Sequence, residues 1–572
     1  MRRAEVGSKA TAEISTDSMT AQGKLDVPHS ARATPISSPM PASTPKMHGH
    51  HSYNGTDPTI GKFLNNMYTS NYPVDLAEFG PVVQNVNKGP ILSSTNQTVS
   101  SQWRPQRQLV AAISEHTDSV TALAVAPDHT FFISGSADGS IRVWDTSRLE
   151  RNIAHRSRHL HKHASEAAIS CLTFVESTHC FISAAIDGTL NVVKVDLSES
   201  AGTVRYGKLQ VLRDWRIPGA EDSKEHAVSI EHYRHEGVSV CMLLTSTCRV
   251  LAVDLGDMNI IFELNNPVEH GTPLSFCVNR RKQWFMIGTS HGVLDLWDLR
   301  FRLRLRTWTF RNPAPIWQMS MHPGRRTQHK MRVCISGGTA ADHVSIWDLE
   351  KLTCAEIFHS SSDDASAKKI SSRDLELISV DDEKNESQIS HIAGVHNVTQ
   401  PAGKAGTANA VRSFVMRMHI PDESNDTSDA RHAFLLTAGP DWKVRFWDPA
   451  RLSNSMVVNG VEPHDTNVEF SASLVGADTR VYSESSIKDT ATLDDKASPS
   501  PSRGSKTSST RTSKTQGKSS GAGRLSRYDT IRNSAQSLLK GHKNDVTCVA
   551  MLERPFGMVI SADRSGMIYI FQ

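Results

Sequence analysis

The sequence predicts an all-β fold: a closed ring of seven four-stranded sheets, with a disordered N-terminal tail and two long disordered insertions. Three observations predict it. A unit of short alternating strands separated by turns returns seven times between residue 109 and the last residue. Four of the ten tryptophans, Trp144, Trp297, Trp347 and Trp447, precede an aspartate at the end of a third strand. One orphan strand, QLVAAI at 108–113, stands before the first unit, and the last unit reaches Gln572 directly after its third strand. The orphan is expected to supply the missing fourth strand and close the ring. Closure removes a sheet edge that would otherwise pair with other chains.

The elements follow in order. Residues 1–102 form a tail and linker. The first part, to about residue 57, is rich in Ser, Thr, Pro and Ala and too poor in apolar residues to offset its ordering entropy. Residues 59–83 carry Phe, Leu, Met and Tyr; they read as a loosely ordered linker or as a short segment that docks on the folded domain or on a partner. Residues 103–572 are the ring. Its clearest unit is HTDSVTALAVAPDHTFFISGSADGSIRVWD, from His116 to Asp145. Asp138 lies 22 residues after His116, and Trp144 lies six after Asp138. Weaker copies cover 168–196, 227–255, 273–299, 316–349, 411–448 and 541–572. The second has Val193 where the tryptophan would stand, and the fourth has His291 in the aspartate slot. In the seventh Ser565 takes that slot, displacing Asp563. The sixth offers Thr437, Asp441 and Trp447 at the expected offsets. Insertions at about 360–408 and 461–536 separate the later units. Loops of that length are usually without structure or functional. Lys496–Lys540 holds ten Lys or Arg and one acid, Asp529, among many Ser and Thr; it reads as a tolerated surface insertion or as a phosphorylation-tuned contact to anionic lipid or acidic protein.

These units resemble WD-repeat blades. The resemblance implies a seven-bladed WD-repeat β-propeller. It also implies that His116, Ser134, Asp138 and Trp144, with Thr437, Asp441 and Trp447 in the sixth copy, belong to the hydrogen-bonded tetrads that pin the inner strands. A half-buried His–Asp pair needs partners, and a Ser hydroxyl and an indole N–H supply them.

Longer stretches narrow the resemblance. They are WRPQRQLVAAISEHTDSV, LSFCVNRRKQWFMIGTSHGVLDLWDLRFRL, MSMHPG and LLTAGPDWKVRFWDPAR. They are similar to the C-terminal propeller of the phosphoinositide 3-kinase regulatory subunit 4 family, the kinase-like subunit of the class III phosphatidylinositol 3-kinase complex. The resemblance covers roughly 103–460 and 537–572. It implies a scaffold with protein partners: the catalytic lipid kinase and Beclin-type and coiled-coil subunits. It implies a cytoplasmic protein, peripheral on endosomal, Golgi and autophagic membranes through that complex. Family members also carry a kinase-like domain and helical repeats. This sequence shows no Gly-rich loop before a strand lysine, no HRD-like loop and no DFG. The chain is therefore expected to be no enzyme, and to be a fragment, a truncated gene model or a propeller split from its kinase. The alternatives are a fragment of a serine/threonine kinase and an unrelated WD adaptor, such as a ubiquitin-ligase receptor or chromatin reader.

Composition excludes other classes. A net charge of +3 with 22% charged residues gives no global pull toward nucleic acid. Eight cysteines without a CxxC pair imply a reduced, intracellular chain. The N-terminus lacks an apolar signal core, and no apolar run is long enough for a membrane span.

Catalysis needs convergent acids, bases or nucleophiles. His116, Ser134 and Asp138 form a triad on paper, yet their types follow blade positions, so no catalytic residue is expected. No cofactor and no metal are expected. His155, His159, His161 and His163 read as a solvated basic loop, and HGHH at 48–51 as part of the tail. One surface feature stands out: Arg300, Arg302, Arg304 and Arg306 alternate with Phe301, Leu303 and Leu305. On a strand, that period puts the arginines on one face and the apolar residues on the other. An outer strand with arginines outward protects an edge, or contacts an acidic or phosphorylated partner.

Overall fold

The computed structural model describes residues 60, 79–80, 83, 103–149, 155–200, 203–235, 237–324, 331–340, 342–360, 375–380, 411–418, 432–459, 468–476, 478–486, 541–553 and 557–572. The chain divides into Met1–Val74, of which only Ile60 is described, and Asp75–Gln572. The described part of the second unit is nearly all strand.

Seven sheets form in chain order. Blade 1 is β2 (Val120–Val125), β3 (Phe131–Ser136), β4 (Ser140–Asp145) and β5 (His159–Lys162). Blade 2 is β6 (Ile169–Phe174), β7 (Cys180–Ala185), β8 (Thr189–Ser200) and β9 (Thr203–Arg216). Blade 3 is β10 (Ala227–His235), β11 (Val238–Thr245), β12 (Arg249–Asp254) and β13 (Ile260–Asn265). Blade 4 is β14 (Pro273–Val278), β15 (Trp284–Thr289), β16 (Val293–Asp298) and β17 (Leu303–Phe310). Blade 5 is β18 (Ala314–Met321), β19 (Arg332–Gly338), β20 (His343–Asp348) and β21 (Thr353–His359). Blade 6 is β23 (Ser413–Met418), β24 (Ala433–Ala438), β25 (Val444–Trp447) and β26 (Met456–Val457). Blade 7 joins β29 (Val546–Leu552), β30 (Met558–Asp563) and β31 (Ile568–Phe571) to β1 (Leu109–Ile113). The fold is a seven-bladed β-propeller.

The ring shuts at two levels. The first strand of each blade touches the first strand of the next, and β29 returns to β2. On the outside, β1 pairs antiparallel with β31, from Leu109 opposite Phe571 to Ile113 opposite Ile568. Gln572 N–H donates to the Gln108 carbonyl at 2.9 Å, and Gln106 N–H to the Gln572 carbonyl at 2.7 Å. Hydroxyls on the first strands tie neighbouring blades. Thr121 Oγ1 donates to the Ile169 carbonyl at 2.7 Å, and Thr547 Oγ1 to the Val120 carbonyl at 2.6 Å.

Both faces of each blade are apolar because each packs between two others, so the middle strands read as continuous buried runs rather than alternating ones. Phe131, Ile133 and Val143 of blade 1 meet Ile169, Phe181 and Val193 of blade 2. On the other side Phe132 and Trp144 meet Ile560 and Ile570 of blade 7, together with Ala111 and Ile113. Each such side chain contributes about 1.5–3 kcal/mol of burial free energy. The turn before β4 leaves little space. Gly139 has φ +77°, and a Cβ there would lie 2.3 Å from the Glu166 carbonyl oxygen of the next blade. Any other residue would be strained and would push the blades apart.

Two stretches expected to be disordered have structure, and the 59–83 segment, read as loose or docking, docks at its end. Phe79 is buried among Val175, Cys180 and Ile182 of blade 2, and Val83 N–H donates to the Ser177 carbonyl at 2.9 Å. The end of the 59–83 segment therefore docks on the propeller. From the first insertion, β22 (Leu377–Ser379) pairs with the end of β17. From the second, a hairpin of β27 (Val468–Val475) and β28 (Thr479–Ser486) adds to blade 5, with β28 parallel to β21. The rest of both insertions, including Lys496–Lys540, lies outside the described residues.

Ring closure by β1 has a measurable consequence. Ile113→Ala removes a side chain only 2% exposed and is expected to cost about 2–5 kcal/mol in urea unfolding. A chain lacking residues 1–113 is expected to elute as aggregates in size exclusion, because β31 is left as an open edge.

Candidate functional site

In blade 1 the four expected residues meet. His116 Nε2 lies 2.7 Å from Ser134 Oγ, and Trp144 Nε1 donates to the same oxygen at 2.8 Å. His116 Nδ1 lies 3.1 Å from Asp138 Oδ2. Asp138 also accepts from the Thr117 amide at 3.0 Å and from the Ser140 amide and hydroxyl at 2.8 and 2.5 Å. Burial pushes the Asp138 carboxyl up, but these donors outweigh it and hold it at about 2. Burial, against the pull of Asp138, holds His116 below the ordinary imidazole value. Ser134 has no exposed surface, so the triad of types cannot reach a substrate. The cluster joins the loop before β2 to β3, β4 and their turn.

The other blades solve the same problem differently. Blade 7 repeats the arrangement: His542 lies 2.7 Å from Ser561 Oγ and 2.8 Å from Asp563 Oδ2. Asp563 is not displaced from the cluster. It reaches His542 from the end of β30, and Ser565 donates to it at 2.6 Å. In blade 2 the histidine is His163, 2.8 Å from Ser183 Oγ and 2.7 Å from Thr189 Oγ1, which donates to Asp187. This corrects the reading of 155–163 as a solvated loop. His159 and His161 sit on β5, and His163 is only 2% exposed. In blade 4 the buried acid is Asp295, bound by His270, Asn266 and Thr307 at 2.8, 2.9 and 2.8 Å. Asn266 in turn accepts from Trp297 Nε1 at 3.1 Å.

Blade 6 departs from expectation. Trp447 Nε1 donates to Thr437 Oγ1 at 3.0 Å. Asp441 instead takes Arg445 Nη2 at 2.6 Å, and Arg445 also donates to Glu484 of β28. Arg445 is only 2% exposed. With no histidine in place, a buried guanidinium bridges the two carboxylates. Glu484 arrives from the inserted hairpin, so no local spacing could announce it.

The arginine run also departs from expectation. Only Arg304 and Arg306 lie on β17; Arg300 and Arg302 occupy the preceding turn. Arg300 is bound to Asp298 at 2.8 Å, and Arg302, at φ +58°, lies over the Phe262 ring at 5.0 Å. A bulge falls between Arg304 and Arg306, where register shifts between Leu296 and Trp297. The apolar residues are therefore not turned inward: Phe301, Leu303 and Leu305 are 69%, 62% and 48% exposed. Residues 377–380 follow the outer side of β17 from Phe310 to Thr307, and no other described strand pairs there with Leu303–Arg306. The result is an exposed patch, both basic and apolar, whose outer backbone edge pairs with no other described strand.

Two outcomes test the buried clusters. Ser134→Ala strands His116 Nε2 and Trp144 Nε1 without their shared partner and is expected to cost about 1–3 kcal/mol in urea unfolding. Burial holds His116, His163 and His542 below 6.5, His163 at about 4. The unfolded chain therefore takes up protons first on acidification. The stability these neutral rings contribute is complete above about pH 6.5 and falls as the pH drops toward about 4. Melting curves across that range should show the fall, and His163→Gln should lower the neutral-pH stability and flatten the decline.

Comparison with known proteins agrees with this architecture. The model of the WD domain, G-beta repeat, matches residues 107–145. The chain is 25% identical over 534 residues to a putative serine/threonine-protein kinase VPS15 of Komagataella pastoris, covering 91% of this chain and 34% of that protein. It is 28% identical over 390 residues to the serine/threonine-protein kinase VPS15 of Arabidopsis thaliana, covering 65% of this chain and 24% of the relative. The Saccharomyces cerevisiae protein of that name is 25% identical over 318 residues, 55% of this chain and 21% of its own. The chain thus spans about a third or less of the length of these relatives. What it carries is a VPS15-like WD-repeat domain.

Proposed function

We propose that this propeller is a non-catalytic scaffold, the regulatory-subunit propeller of a class III phosphatidylinositol 3-kinase complex acting in vacuolar and endosomal sorting and in autophagy. The observation that carries the reading is the similarity to VPS15 proteins, over 91% of the chain for the Komagataella pastoris protein, joined to a closed ring whose polar clusters are buried and structural. In this reading the ring presents its top, bottom and rim to the catalytic lipid kinase and to Beclin-type and coiled-coil subunits. Rigidity is the mechanism, because a surface already ordered loses little entropy when a partner binds. The complex, not this chain, meets the endosomal, Golgi or autophagic membrane. Among the described residues no helix is long and apolar enough to cross one.

The blade 4 rim patch is the docking surface we assign to an acidic partner segment. Arg304 and Arg306 supply charge, Phe301, Leu303 and Leu305 supply apolar contact, and the outer edge of β17 offers backbone pairing. A second reading draws on the names of the relatives, which are those of serine/threonine kinases. The described residues form a propeller and no kinase fold, so phosphoryl transfer in this reading belongs to sequence outside residues 103–572.

Affinity capture of the tagged full chain, followed by mass spectrometry, is expected to recover the lipid kinase. Recovery of a cullin adaptor or histones in its place would overturn the assignment. Arg304→Glu with Arg306→Glu is expected to reduce capture about tenfold, a loss of about 1.4 kcal/mol, with an unchanged melting curve. Unchanged capture would discard the rim. Transfer of labelled phosphate from ATP by the purified chain would overturn the non-catalytic reading.

A further inference from the structure

Blade 5 holds a side-chain cluster that the tetrads do not explain. His343 opens β20 and His359 closes β21, and the two are directly opposite in the antiparallel register. Opposed residues of such a pair project to the same face. Their rings lie 4.8 Å apart, centroid to centroid, near perpendicular. Asp342, in the turn just before β20, is held there by Ser360, whose amide and hydroxyl donate to its carbonyl at 3.3 and 3.1 Å. Its carboxylate oxygens lie 2.7 Å from His343 Nδ1 and 3.4 Å from His359 Nδ1. Neither contact has the angle of a hydrogen bond: both Nδ1 atoms are buried and make none. The His343 side chain is only 7% exposed. Three donor atoms from one turn and two strands thus converge within 4.8 Å without satisfying one another.

Two imidazoles and a carboxylate form the nitrogen and oxygen set of a borderline divalent ion. Calcium and magnesium prefer all-oxygen sites. Tetrahedral zinc, with bonds of about 2.0–2.2 Å, needs donor separations of about 3.3 Å. The printed separations from Asp342, 2.7 and 3.4 Å, bracket that spacing.

We infer that Asp342, His343 and His359 form a site for one divalent transition-metal ion, zinc foremost, with the fourth position open to water. The ion staples the two outer strands of blade 5 where the inserted hairpin joins them. The site lies apart from the rim patch and does not depend on the lipid-kinase reading.

The test uses the full chain, stripped of metal and titrated with Co²⁺ and then with Zn²⁺. The expected result is one equivalent of Co²⁺ with the visible absorption of a four- or five-coordinate ion, displaced by Zn²⁺, and a higher melting temperature with either ion. His343→Gln and His359→Gln should each weaken binding at least about tenfold, or about 1.4 kcal/mol. A variant with His48, His50 and His51 changed to Ala should bind as the parent does. No binding at micromolar Zn²⁺ would overturn the site. So would unchanged affinity in both Gln variants, or loss of all binding with the tail histidines. If the Gln variants lose their near-ultraviolet circular dichroism, zinc-edge X-ray absorption of the parent decides. Two imidazoles with oxygen support the site, and sulfur or a single imidazole overturns it.

Discussion

Every part of this molecule depends on the ring being shut. A small sheet with two apolar faces is stable only between two others, so no blade can stand by itself. Blades 2 to 6 find both neighbours along the chain. Blades 1 and 7 are joined only because Thr547 and Val120 meet on the inside and β1 lies beside β31 on the outside. The outer pairing spans almost the whole described length of the ring, from Leu109 to Phe571. It is costly to form in loop entropy and turns seven marginal units into one cooperative body.

The second constraint is the polar interior. Each turn between the middle strands buries polar groups that must be partnered. Blades 1, 2 and 7 use a histidine between a serine and an acid or threonine. Blade 4 inverts this, surrounding the fully buried Asp295 with donors. Blades 5 and 6 abandon it, and their turns carry ions: Asp342 with two histidines, and Arg445 between Asp441 and Glu484. These are the blades that receive the hairpin from the second insertion. The hairpin brings Glu484, and removing that carboxylate would leave the Nε of Arg445, a side chain 2% exposed, without its partner in a dry site. The insertion is therefore part of the fold: its hairpin extends the sheet of blade 5 and partners a buried arginine of blade 6.

A scaffold needs a rigid body and surfaces not already occupied. The buried clusters supply the first, and for the same reason offer no reactive group to solvent. The rim of blade 4 supplies the second. Phe301 stands in the turn, Leu303 opens the strand and Leu305 is bulged, so all three are exposed alongside the arginines.

The sequence by itself determined the number of blades, the strand order within each and the four residues of the first tetrad. All of these are local. Strand alternation, the Asp138–Gly139 turn and the offset from His116 to Trp144 arise within one unit, and the unit repeats. The end-to-end strand was legible too, because an orphan at one end answers a gap at the other. The tertiary structure alone decided which partner each acid serves, His542 for Asp563 and Arg445 for Asp441, since side chains from a strand end and from a turn reach the same point. It alone turned the arginine stripe into a mixed patch, because one bulged residue breaks a period of two. It alone brought His343 to His359 and Glu484 to Arg445. These partners are separated by a strand pair or an insertion, and propensity and periodicity carry no information about contacts made by closing a ring.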